Sequence, residues 1–265
     1  MSDIPPWDWP ESAAADIQKV LADRRAAEPD RIAAAEFAGD LVVMSDNLAE
    51  ALLAIVRHPS EPEELRARAA ISFGPVLEQA DMGGFEDPDD SPVSEEMFAR
   101  IRDSLREIFQ DEKVPKEVRR RCLEASVRAP GAWLAAAIRK AYAGGDREWV
   151  LTAVFAMGQV DGFDASIIES LENPDPEIHW EAVRASSARA LDGAWSHVVA
   201  LVQDADTPKD LLLVAIDAVG NIRPEEAEAI LSELAESEDE DIAEAAKVAM
   251  ATGDFEDDED EEEDF

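Results

Sequence analysis

The sequence predicts an all-α fold: a right-handed alpha-solenoid of about six to seven helix pairs, closed by a disordered acidic C-terminal tail. Three observations carry this. One helix-forming stretch recurs along the chain, two of its positions are always small, and the composition is 46% apolar but only 6% aromatic, with abundant alanine. Alanine is the best helix former and a poor strand former, so this mix suits helices. With 265 residues the chain can bury a sizeable core.

The recurring stretch begins at Asp30, Glu64, Glu117, Glu148, Glu177, Asp210 and Asp241, at offsets of 34, 53, 31, 29, 33 and 31. Its sixth position reads Ala35, Ala69, Cys122, Ala153, Ala182, Ala215 and Ala246. Its ninth reads Ala38, Ser72, Ala125, Ala156, Ala185, Ala218 and Ala249. Positions three apart share one helix face, and small residues there let a second helix approach closely. The leading acid suits the positive end of the helix dipole, and Pro29, Pro62, Pro115, Pro176 and Pro208 stand just ahead of it, where helices start. Each such helix A is followed by a shorter amphipathic helix B, as in NLAEALLAIVRH or WSHVVALVQD. Leu211 to Ile216 form an unbroken apolar run, expected of a helix in the middle of a stack.

These pairs resemble HEAT repeats, and the bacterial HEAT-like branch best, over roughly residues 28 to 252. The resemblance implies a solenoid with a long surface for protein binding. The arginine late in helix A and the fixed aspartate of helix B found in many HEAT repeats vary here, so no functional residue is carried over.

Residues 1–27 form an N-terminal extended segment and capping helix. IPPWDWP is expected to be extended because of its prolines, with a short helix starting at Glu11 or Ser12 and reaching Asp23. Trp7 and Trp9 are expected to cover the open end of the first repeat, a docking motif being the other reading. The stretch DMGGFEDPDDSP, residues 81–92, reads as an acidic surface loop without the residue order of a calcium-binding loop. Residues 253–265 end the chain with nine successive acids, Glu256 to Asp264, and read as disordered.

Sixty-two acids against 24 bases give a net charge of -38. Such a surface disfavours nucleic acid and anionic membranes as partners. No signal peptide, membrane span or lipidation motif is visible, and a single cysteine fits a reducing cytoplasm. The bases are unevenly spread: residues 98 to 147 hold 12 of them against seven acids, whereas residues 148 to 252 hold five against 23. Arg66 and Arg68 recur one repeat later as Arg119 and Arg121, and stacking is expected to place all four on one stripe. That stripe is either a solvated face of local ion pairs or an anion-recognising patch.

Cys122 falls in the small packing column and reads as an alanine equivalent. His58, His179 and His197 lack metal-site spacing and read as partly exposed helix residues; no metal and no cofactor are expected. Nucleophile and phosphate-loop motifs are absent. Trp180 and Trp195 are offered as interface anchors beside a majority of core tryptophans. The expected function is a non-enzymatic, monomeric scaffold or adaptor with a protein partner. The alternatives are an acidic chaperone or nucleic-acid mimic binding basic proteins, or an enzyme resembling HEAT-like DNA-alkylation glycosylases or phycobilin lyase subunits.

Overall fold

A computed structural model describes residues 4–86 and 91–253, and among these the chain forms helices and no strands. The expected disorder of the tail beyond Gly253 falls outside the described residues, as do Asp87, Pro88, Asp89 and Asp90 of the acidic loop. The Cα framework separates into two compact units, Met1–Ala137 and Ile138–Phe265.

In the first unit a 3-10 turn, Pro6–Asp8, precedes α1 (Ala13–Ala22). The expectation that IPPWDWP is extended is thereby corrected. Proline fixes a helical φ and lacks only an N–H that the first turn would leave unbonded anyway, so Pro6 starts the turn well. Then come α2 (Glu28–Phe37), α3 (Asp46–Arg57), α4 (Glu63–Ile71), α5 (Gly74–Gly83), α6 (Glu95–Gln110) and α7 (Lys116–Ser126). Helix α8 (Leu134–Ala143) crosses the division. The A helices α2, α4 and α7 pack in succession, and α1, α3 and α6 form a second layer against them. Thus α1 takes the place of a helix B for a repeat with no helix A, which leaves the first full pair covered.

The long offset before Glu117 has a physical origin. It holds a whole extra helix, α5, besides the loop, so Asp81 to Gly83 end a helix rather than begin a loop. Pro75 in its first turn is where proline favours a helix start. At the N-terminal end, Trp9 packs edge-on against Phe37 with ring centroids 5.5 Å apart, and its indole N–H donates to the Ile4 carbonyl. Trp7 is 77% exposed, so the cap rests on Trp9 and not on both tryptophans.

The second unit continues with α9 (Arg147–Met157), α10 (Asp164–Ser170), α11 (Pro176–Ala188), α12 (Trp195–Gln203), α13 (Lys209–Ile222), α14 (Pro224–Leu234) and α15 (Glu240–Gly253). Here α9, α11, α13 and α15 pack in succession, with α10, α12 and α14 alongside. Helix α13, which carries the apolar run, packs against α11, α12, α14 and α15.

All seven sixth-position residues are fully buried, and no ninth-position residue is more than 7% exposed. What these columns permit is visible where a glycine faces them. A Cβ built on Gly39 would lie 2.7 Å from the Ser72 carbonyl oxygen; one on Gly220 would lie 3.0 Å from the Ala249 Cβ. Helix A packs on helix A at backbone distance, and only small residues leave room for it.

Candidate binding surfaces

The arginine stripe divides into two pairs. Arg66 is 4% exposed, and its Nε donates to the Val56 carbonyl at 2.9 Å; Arg119 Nε donates to the Phe109 carbonyl at 2.8 Å. Those carbonyls sit in the last turns of α3 and α6, where helix C-termini leave unpaired acceptors and carry negative partial charge. Arg31 does the same for the Leu21 carbonyl at the end of α1, through Nε and Nη2. Each bond spans ten residues, so three successive helix A arginines fasten the preceding helix B. Arg31 escapes the sequence comparison because it stands in the second column, not the third.

Arg68 and Arg121 point elsewhere. With Glu63, Glu64 and Glu117 they line an open groove of about 520 Å3 along α4 and α7. Arg121 is held by Glu117 at 2.8 Å and by Glu124 at 2.6 Å, and these carboxylates keep its guanidinium proton more tightly bound against the opposing effect of burial. Arg68 lies 3.7 Å from Glu36. The groove therefore carries more carboxylate than guanidinium.

A second pocket, of about 490 Å3, has the opposite character. It lies between α6 and the turn before α8 and is lined by Arg102, Asp103, Arg106, Gly131 and Trp133. Neither Arg102 nor Arg106 makes an ion pair or a hydrogen bond with a described residue. Arg102 instead stands over the Phe98 ring, 5.3 Å from its centroid. Trp133 packs on Phe109 at 5.2 Å, which fixes its ring at the pocket wall. A Cβ at residue 131 would come within 3.2 Å of the Trp133 ring and 3.4 Å of Arg102 Nη2, so Gly131 lets the two converge.

In the second unit, Trp180 and Trp195 both reach the next repeat. The Trp180 indole donates to the Asp210 carbonyl at 3.1 Å, and Arg223 lies over the Trp195 ring at 5.4 Å. Both remain partly accessible. His179 and His197 meet, with their Nε2 atoms 2.8 Å apart. Burial chiefly, and then the neighbouring His197, lower the pKa of His179, against a raising effect of Glu172. At the far end, α15 and the turn before it line a groove containing Glu236, Glu240, Asp241, Glu244 and Lys247. Cys122 is fully buried, and burial pushes its thiol pKa well up. Among the described residues no group of three or more histidine, cysteine, aspartate or glutamate side chains could hold a metal, and no helix is long and apolar enough to cross a membrane.

Two layers of helices, small residues where A helices meet, and an arginine that ties each early pair to the one before define an α-helical repeat protein. No family model matches this chain, and no curated protein matches it. Among solved structures it is similar to Escherichia coli YibA (16% identity, 93% of this chain, 84% of that chain, TM-score 0.46). It is also similar to human deoxyhypusine hydroxylase in complex with glycerol (15%, 94%, 87%, TM-score 0.42) and to an engineered protein (15%, 91%, 96%, TM-score 0.36). At these identities and scores the likenesses carry nothing about what this chain binds or does.

Proposed function

We propose that the chain is a HEAT-like, non-enzymatic protein-binding scaffold acting in the cytoplasm, and that it takes an acidic segment of a protein partner in the Arg102–Arg106–Trp133 pocket. The observation that carries this reading is the pair of guanidiniums that form no ion pair with a described residue, in a chain of net charge -38. Elsewhere carboxylates outnumber bases, so two arginines left unpaired beside a fixed indole are a recognition feature. Arginine forks suit carboxylates, and tryptophan and arginine are favoured interface anchors. Long-range repulsion from the acidic surface is screened within about 8 Å at physiological salt, so contact chemistry decides. In this reading Arg66 and Arg119 serve the framework, and Arg68, Arg121, Trp180 and Trp195 are secondary contacts.

A second reading rests on the acidic groove at α15. Glu236, Glu240, Asp241 and Glu244 against Lys247 favour a basic partner, as an acidic chaperone would bind. Affinity capture from native extract separates the two, with wild type, an Arg102→Ala/Arg106→Ala variant and a Glu236→Ala/Glu240→Ala/Glu244→Ala variant as baits. A partner lost only from the arginine variant supports the acidic-segment reading, with a ten- to hundred-fold loss corresponding to roughly 1.5–3 kcal/mol of charge-assisted hydrogen bonding. A partner lost only from the glutamate variant supports the second reading. Partners retained equally by all three baits would refute both.

A further inference from the structure

We infer that His179 and His197 form a two-histidine site for a late divalent transition metal such as Ni2+, Cu2+ or Zn2+. His179 lies in the first turn of α11, and His197 lies in the first turn of α12, the helix that follows it. The turn between these helices brings two side chains 18 residues apart to a single point, with Nε2 to Nε2 at 2.8 Å and ring centroids 5.0 Å apart. Both rings are half-buried, which limits the conformational freedom lost when they are fixed by an ion.

Two imidazole nitrogens that meet this way are ready-made ligands. Without metal, one Nε2 donates its proton to the other. The Glu172 carboxylate oxygen is 3.6 Å from His197 Nδ1. A carboxylate on that side favours the His197 tautomer with its proton on Nδ1 and its Nε2 lone pair free. His179 Nε2–H is then the donor; a metal takes the His179 Nε2 lone pair once that proton sits on Nδ1, so both imidazoles stay neutral and no proton is released. On a tetrahedral ion such as Zn2+, with bonds of about 2.0–2.1 Å, the nitrogens lie roughly 3.3 Å apart, and on a square-planar or octahedral Ni2+ or Cu2+ neighbouring nitrogens lie about 3.0 Å apart. Widening the pair by up to about half an ångström, with a tilt of the rings, meets either spacing. Imidazole suits nickel, copper and zinc, and affinity rises along the series toward copper. No third described side chain converges on the point, so the remaining positions are left to water or to a ligand from outside the chain.

The test uses the full chain titrated with Ni2+ by calorimetry. Nickel favours imidazole over carboxylate, which keeps the many acidic groups from dominating the signal. The expected result is a single site of micromolar affinity, weakened at least ten-fold by His179→Gln and by His197→Gln alike, and unaffected by His58→Gln. In the wild type, Ni2+ is expected to raise the unfolding temperature and EDTA to reverse the rise. Should His179→Gln impair folding, as judged by its helical circular dichroism, His197→Gln decides alone. Equal nickel binding by wild type and His197→Gln, or no saturable binding by wild type, overturns the inference.

Discussion

Replacing Glu61 with glutamine isolates the tie between the first two repeats. Glu61 lies in the turn between α3 and α4, yet its carboxylate is 2.5 Å from Arg31 Nη1 of α2 and 3.3 Å from Arg24 Nε in the turn before α2. The Glu61 and Arg31 side chains are only 7% and 6% exposed. Arg31 keeps its two bonds to the Leu21 carbonyl in the variant, so the change removes the counter-charge and leaves the neighbouring geometry in place. Losing a buried charge-assisted bond while the guanidinium stays buried costs about 2 kcal/mol, below the 3–5 kcal/mol of a fully broken pair because a glutamine oxygen still accepts. For a unit of this size that is a fall in unfolding temperature of roughly 5–10 °C, read by circular dichroism. The hydrogen bond from Arg31 holds the Glu61 pKa below its ordinary 4.5, against the raising effect of burial. The stabilisation is therefore fully present above about pH 4.5 and is lost as pH falls through the depressed value. The gap between wild type and Glu61→Gln should be open at pH 7 and narrow only below pH 4.5, as wild-type Glu61 takes up its proton at the depressed value. A variant as stable as wild type at pH 7, or a gap that opens further as pH falls below 4.5, would refute this account.

Four further outcomes test the packing. Gly39→Ala places a methyl group 2.7 Å from the Ser72 carbonyl oxygen and should cost roughly 1–3 kcal/mol in urea unfolding. In contrast, Gly193→Ala, whose Cβ would meet only the Ile168 side chain at 3.5 Å, should change stability by less than about 0.5 kcal/mol. Ala190 ends α11 with φ at +45°, a conformation glycine adopts without strain, so Ala190→Gly should stabilise by roughly 0.5–1 kcal/mol in the same assay. Fully buried Cys122 should resist an aromatic disulfide reagent at pH 8 until urea unfolds the chain, and rapid labelling of the native protein would contradict its burial.

The seven A helices were legible because their signal is local: a proline or acid at the start, then small residues three apart. Helices α5 and α6 are less legible, although Met97, Phe98, Ile101, Leu105 and Ile108 follow helical spacing and are buried in α6. Between them the glycine- and proline-rich residues 81–92 carry a loop signal that masks the helices flanking it. Site-level features are hidden for another reason: they depend on what the fold brings together. Arg66 and Arg68 are near neighbours in sequence, but one reaches a buried carbonyl and the other lies exposed beside Glu36. Eighteen residues separate His179 from His197, and only the turn between their helices makes them meet. Whether an arginine such as Arg102 has an acidic partner cannot be read from a chain with acids on every side.

The same three-dimensional pairing explains how the second unit tolerates its charge. Its bases bridge repeats: Arg147 in the first turn of α9 reaches Asp175, the N-cap of α11, and Lys209 in the first turn of α13 reaches Asp239 just before α15. Arg223 likewise returns to Asp192. Each bridge spans about one repeat, and the acids it uses sit at or near helix starts, where the dipole already favours them. Exposed pairs of this kind are individually worth little, about 0–1 kcal/mol. Their effect is positional, because they draw these bases toward the joints between repeats. In the first unit, Arg31, Arg66 and Arg119 reach helix carbonyls instead, and Arg102 and Arg106 make no ion pair with a described residue. The contrast between an acid-rich surface and one unpaired arginine pocket thus follows from how each unit joins its repeats.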